Sequence, residues 1–218
     1  MEQSENELHQ QTVKVIHKKP PINWRAVFAE SAFVGASIIF AFALQDWDEE
    51  KDIEERTLIA LCNVKSELAF NRVLLKSEYM PRQRGLLALT NASMTQLNGQ
   101  PDASLPKTDF KSMLVQESLR YSAWTLAGES GYLLHANFQL ATEIGALFDF
   151  QRDTYATTMI RVSESVANYE AASGSTDLSH YSSIATSVSE WSAQTHYLQE
   201  KYETLFSRED FIELNCEA

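Results

Sequence analysis

The feature that most constrains this chain is an uncharged, mainly apolar run, Ser31 to Gln45, set across a step in charge. Extended back through Ala26, Val27, Phe28 and Ala29, it reaches the roughly 20 residues that a helix needs to cross about 30 Å of hydrocarbon. That extension takes in one acid, Glu30. Trp24 and Trp47 bracket the run; at about 1.5 Å of rise per residue they stand roughly 35 Å apart, the spacing of two interfacial aromatic belts. Lys14, Lys18, Lys19 and Arg25 precede it, and Asp46, Asp48, Glu49 and Glu50 follow it. The positive-inside rule then puts the N-terminus in the cytoplasm and the bulk of the chain outside. The expectation is a cytoplasmic tail over 1–25, a transmembrane helix over 26–46 and an extracytoplasmic domain over 47–218. A buried core helix would leave the charge step and the paired tryptophans unexplained. A cleaved signal peptide fits the small-x-small pattern of Ala41-Phe42-Ala43, but Glu30 beside the apolar core and the long segment ahead of it speak for an anchor.

Two further readings concern that helix. An acid about one turn inside the interface is expensive, so Glu30 pairs with Arg25, with a lysine of the tail, or with a basic residue of another subunit. Ser31 and Gly35, Ala32 and Ala36, and Ser37 and Ala41 lie four apart and make a shallow groove where two backbones can approach. Glu30, Ser31 and Gly35 are therefore the expected contact with a second membrane helix.

Charge is distributed unevenly. The tail before residue 26 is net +1, while residues 46–218 carry the whole net charge of −12. So acidic a domain is repelled by phosphate backbones, which argues against a nucleic-acid partner. Only 7 glycines and 5 prolines occur, which suits long helices and not a turn-rich β fold.

The periodicity agrees. From Asp46 to Tyr79 there is no Pro or Gly, and Leu58, Leu61, Lys65, Leu68, Arg72 and Leu75 keep a 3-4 spacing, predicting a helix that leaves the membrane and runs to Pro81. A shorter helical pattern covers 82–98, and Asn98 to Pro106 reads as a loop. A helix capped by Thr108 or Asp109 is expected through Met113, Leu114 and Leu119 to Trp124, stopping near Gly128 or Gly131. Phe138, Ala141, Gly145, Phe148, Arg152, Tyr155, Met159, Val162, Val166 and Tyr169 form the strongest stripe, broken by Ser173-Gly174-Ser175. A cap at Ser175, Thr176 or Asp177 starts a last helix with Tyr181, Ile184, Val188, Trp191, Thr195, Leu198, Tyr202 and Leu205 on one face. Two long helices joined by a short turn make an αα-hairpin. The fold expected is all-α: one N-terminal transmembrane helix continuing into an antiparallel helical bundle.

The two cysteines, Cys62 and Cys216, form no CxxC and no ligand cluster. They read as isolated thiols or, in an oxidising compartment, as a pair. Pairing is expected if the chain makes an even number of passes after the first long helix and returns its C-terminus toward Cys62.

Several of these residues occur together in a familiar order. Glu30 opens the apolar helix and Trp47-Asp48-Glu49-Glu50 closes it; Ser66-Glu67-Leu68-Ala69-Phe70-Asn71 follows, then Ser122-Ala123-Trp124 and Ser130-Gly131. The order resembles a widespread group of uncharacterised bacterial single-pass membrane proteins with a small helical extracytoplasmic domain. It covers roughly residues 25–150, with Lys51 where such sequences often carry Arg. The resemblance implies a bacterial inner-membrane anchor with a periplasmic domain, and it brings no activity.

No catalytic, metal or cofactor signature stands out. Gly128-Glu129-Ser130-Gly131 lacks the glycine spacing of a nucleophile elbow, and the five histidines are isolated. The acidic pairs Glu49/Glu50 and Glu54/Glu55 read as a solvated face and not as a calcium loop. Trp124 with the glycines after it reads first as core filling and a tight turn; the ligand-site alternative is a pocket floored by Trp124 with Glu129, Ser130 and His135 at its rim. The function expected is that of a membrane-anchored interaction or scaffold protein that docks another envelope protein or its own copies. The alternative is a periplasmic sensor or small-molecule-binding module acting through a partner. A third reading is an unrecognised enzyme; a deep polar pocket would favour the second or third reading, and flat apolar or acidic faces the first.

Overall fold

A computed structural model describes residues 23–100, 105, 107–172 and 177–216. All its regular structure is helical, with no strand among the described residues. The expected tail over 1–25 falls almost wholly outside them, as do most of the 101–106 loop and the 173–175 break. The chain divides into two compact units, Met1–Glu49 and Glu50–Ala218.

In the first unit the described residues form the start of α1 (Trp24–Leu74). This stretch is long and apolar enough to cross a membrane, and none of its apolar window is buried against protein. Phe28, Phe33, Ile39, Phe40 and Phe42 are all exposed. Gly35 has open space where a Cβ would stand.

The second unit is built on three helical runs. The first continues α1 through a π-helical turn (Leu75–Tyr79) into α2 (Met80–Gly99). The second comprises α4 (Phe138–Asp149), a π-helical turn (Phe150–Tyr155) and α5 (Ala156–Ala171). The third is α6 (Leu178–Phe206). Pairing between the second and third runs Gln151 to Tyr202, Tyr155 to Thr195, Arg161 to Glu190, Ser165 to Ser187 and Tyr169 to Tyr181, so numbers rise along one as they fall along the other. Lys76 to Glu203 and Gln83 to Thr195 give α6 the same relation to the first run.

Helix α6 buries Tyr181, Ile184, Val188, Trp191, Thr195, Leu198, Tyr202 and Leu205, the whole stripe of its 3-4 pattern. Asp177 caps it by accepting from the Ser179 N–H at 2.8 Å, and Asn137 caps α4 by accepting from Leu140 at 3.0 Å.

Two expectations need correction. Pro81 does not end the first run. The preceding π turn, closed by the Met80 N–H on the Leu75 carbonyl, resets the ladder just where Pro81 supplies no donor, and Pro81 sits in the first turn of α2. The helix expected from Thr108 to Trp124 does not form. A short 3-10 turn (Lys111–Met113) leads into a non-helical strap, and α3 begins only at Ser122 (Ser122–Glu129). The strap's backbone is satisfied from a distance: Tyr79 donates to the Glu117 carbonyl at 2.7 Å, and the Asn71 amide both donates to the Arg120 carbonyl at 2.7 Å and accepts its N–H at 2.8 Å. These bonds replace the helical ladder.

Each π turn closes on a buried tyrosine, and the two meet in mid-core. The Tyr79 ring lies 5.9 Å from Tyr155 and 5.7 Å from Trp191. Thr195 ties the cluster, accepting from the Gln83 amide at 2.6 Å and lying 2.8 Å from the Tyr155 hydroxyl.

Cys62 and Cys216 are joined by a disulfide, with Cα atoms 5.4 Å apart. Beside it the Lys65 ammonium donates to the carbonyls of Phe211, Ile212 and Leu214 at 2.8, 3.3 and 3.4 Å. It thus holds the end of the short α7 (Glu209–Ile212), where carbonyls lack helical partners.

Candidate functional site

Between α1 and α3 lies a cleft of about 800 Å³ lined by both polar and apolar groups, among them Arg56, Ile59, Glu67, Phe70, Leu126 and Tyr132. Its walls follow from the fold. Residues 56–70 supply one face as successive turns of α1; the strap delivers Arg120 and Ser122 opposite; Gly131, with φ of 79°, turns the chain so that Tyr132 closes one end.

Glu67 is the central group. Its side chain is buried, with Oε2 accepting from the Ser122 hydroxyl at 2.9 Å and the Ala123 N–H at 3.0 Å. A carboxylate suits the first turn of α3, where helical N–H groups lack partners. Its other oxygen, Oε1, is buried and has no hydrogen-bond partner. A buried acceptor left in that state costs about 1–3 kcal/mol, more when charged. Glu67 also forms no ion pair among the described residues.

The nearby cations are already engaged. Arg56 bridges to Asp52 at 2.8 Å and donates to the Tyr132 hydroxyl at 3.2 Å, bonds that raise its pKa above the ordinary arginine value. Arg120 pairs with Glu117 at 3.0 Å and stacks 3.4 Å from the centre of the Phe70 ring.

Of the four residues grouped from sequence as a pocket, only Ser130 lines this cleft. Trp124 stacks on Phe148, centroids 5.6 Å apart, with Gly145 so close that a Cβ there would stand 3.1 Å from the indole. Glu129 and His135 are exposed. No group of three or more His, Cys, Asp or Glu gathers as a metal site among the described residues. Glu30, Ser31 and Gly35 belong to the other unit and share exposed or half-exposed helix surface.

Glu67 was not singled out from the sequence, although it stands in the Ser66–Asn71 motif. The signal was pairing between motifs: Glu67 bonds Ser122 and Ala123 of the later element, and Asn71 bonds Arg120 just before it.

A second cleft, about 640 Å³, opens against the π turn at Phe150–Tyr155 and includes the Gln151 amide, whose Nε2 is buried without a partner. Its unpaired group is neutral. No family model, curated protein or solved structure matches this chain.

Proposed function

We propose that this chain is a membrane-anchored helical module of the bacterial envelope whose periplasmic domain binds a small molecule in the α1–α3 cleft and acts through a partner protein. The observation that carries the reading is the cleft itself: about 800 Å³, apolar walls, and a few converging polar groups around a buried carboxylate, the composition of a small-molecule site. The walls are more apolar than the polar pocket expected for a binding module, and it is the buried Glu67 within a concave site that favours this reading over the scaffold.

The topology in this proposal has the N-terminus inside and an antiparallel bundle outside. The opposed numbering of paired residues on α5 and α6 supports the bundle. The Cys62–Cys216 bond supports an oxidising compartment, and the basic-to-acidic step around the apolar segment supports the orientation. The resemblance to bacterial single-pass proteins supports the envelope setting.

A second reading, docking of another envelope protein, is favoured by one observation. Leu126, Leu134 and Phe138, on three consecutive elements, are 67%, 86% and 86% exposed, and such exposed apolar surface marks contact sites. Leu126 also lines the cleft.

Native mass spectrometry of the full chain from native membranes tests the first reading. Wild type is expected to carry a small-molecule adduct, and Ile59→Trp, a change at an exposed helix position of the cleft wall, to lose it. No adduct on either form, or the same adduct on both, would remove the cleft from the account.

A further inference from the structure

We infer that the group recognised at the floor of this cleft is an organic ammonium ion, donated N–H first to Glu67 Oε1, with an apolar body resting on Ile59, Phe70 and Leu126. The inference rests on the cleft being a ligand site and adds the chemistry of the ligand's head.

Three observations lead to it. First, Glu67 is more than nine-tenths buried and lines the cleft, yet one of its two oxygens is unpartnered. Bonds from Ser122 and Ala123 engage Oε2, so of the two oxygens Oε1 is the one left to take a further donor. Second, no basic side chain among the described residues forms an ion pair with Glu67. Arg56 is held by Asp52 and Tyr132, and Arg120 by Glu117 and the Phe70 ring, so neither arginine is free to serve Glu67. A neutral hydroxyl would give this acceptor an ordinary hydrogen bond; an ammonium gives it a charge-assisted one, roughly twice as strong. Third, the remaining walls are mostly apolar, with Ile59, Ala60, Phe70, Ala123 and Leu126 giving hydrocarbon contact to the rest of the molecule. A bare metal cation is a poor fit, because no cluster of further acidic or histidine ligands gathers among the described residues.

The chemistry has two sources, a free amine or a lipid headgroup bearing a primary ammonium, and the test separates them. The full chain is reconstituted in phosphatidylcholine nanodiscs, whose headgroup has no N–H to donate. Binding of 2-phenylethylamine and of 2-phenylethanol is measured by calorimetry. The amine is expected to bind about tenfold or more tightly than the alcohol, the order carried by one charge-assisted hydrogen bond. Glu67→Gln, which keeps an oxygen to accept from Ser122 and Ala123 but carries no negative charge, is expected to erase that preference while leaving the unfolding midpoint near wild type. Loss of amine binding on moving to phosphatidylethanolamine nanodiscs assigns the site to the headgroup; retention assigns it to a free amine.

Equal binding of amine and alcohol in wild type, or an amine preference that survives in Glu67→Gln, would overturn the ammonium inference while leaving a ligand cleft in place. Failure of both probes to bind, with Ile59→Trp behaving like wild type, would overturn the cleft reading and the inference together.

Discussion

Helix α1 is uninterrupted from Trp24 to Leu74, yet its two parts follow different rules. From residue 27 to residue 52, every side chain except Gly35 is exposed, large aromatics included. From Thr57 onward the helix buries Thr57, Leu61, Val64, Leu68 and Leu74, with Glu67 and Asn71 beside them. Backbone geometry is shared; what surrounds the side chains is not. A helix apolar all round is stable only where its surroundings are apolar, whereas an amphipathic one takes its stability from packing on one face. The second part also carries every contact described for the cleft, so a site can be built only where the helix has protein neighbours.

The largest effect expected separates the two parts through the disulfide. Replacing Cys62 and Cys216 by Ser should lower the urea midpoint of the Glu50–Ala218 unit sharply. The bond joins residues 154 apart, and the chain-entropy model assigns a loop that long about 5 kcal/mol. Extraction behaviour of the N-terminal segment should not change. An unaltered midpoint would mean that packing alone holds the C-terminal clasp.

Next comes the contrast within α1. Leu68→Ala empties a fully buried site and should cost about 2–5 kcal/mol in denaturant unfolding. Phe33→Ala, at a position 76% exposed, should leave the same transition unmoved. Equal losses would break the comparison, since they would require Phe33 to pack against protein.

A third effect should appear at alkaline pH in the packed part alone. Burial pushes the Tyr79 phenol up to about 12, and pushes Tyr155 and Tyr202 higher still. The unfolded chain releases these protons near pH 10, before the folded chain does. The tyrosines' contribution to stability is therefore complete below about pH 10 and is lost as pH rises through the folded values. Phenolate absorbance near 295 nm, followed together with circular dichroism, should show these groups ionising in step with the loss of helix. Ionisation of all tyrosines with the helix intact would contradict their burial.

The smallest effect concerns the exposed part. Gly35→Leu should weaken self-association in a membrane two-hybrid assay by filling the groove beside Ser31, while Phe40→Leu should not. Identical signals from both would leave Glu30, Ser31 and Gly35 without a helix partner.

The sequence made some parts of this molecule legible and not others, and the reasons are physical. Helix α6 was readable residue by residue because it is a regular α-helix with one buried face. In the second run the stripe held along α5 but not in α4, where Leu140, Ile144 and Leu147 are buried and Phe138 is exposed, nor at the π turn. The regular stripe puts Arg152 inside, but the wider turn buries Gln151 and leaves Arg152 exposed, bonded to Asp149 and Asp153. The strap was not legible at all. Its apolar Leu114, Val115 and Leu119 mimic a helical pattern, while the bonds that hold it extended come from Asn71 and Tyr79, some 40 to 50 residues away. The candidate site inherits that difficulty. Glu67 is placed by α1, which periodicity predicts, but its partners Ser122 and Ala123 are placed by the strap, which periodicity misreads.

The bond between Cys62 and Cys216 also decides what happens when the chain is cut. Nearly all of the second unit, from Asn63 to Asn215, lies inside the loop it closes. A protease that nicks any one peptide bond there releases no fragment: both pieces stay attached to the helix that precedes Cys62, and the arginines that hold the cleft walls remain tethered beside it. A gel run without reductant would show one band after such a nick, and two after the sulfurs are reduced.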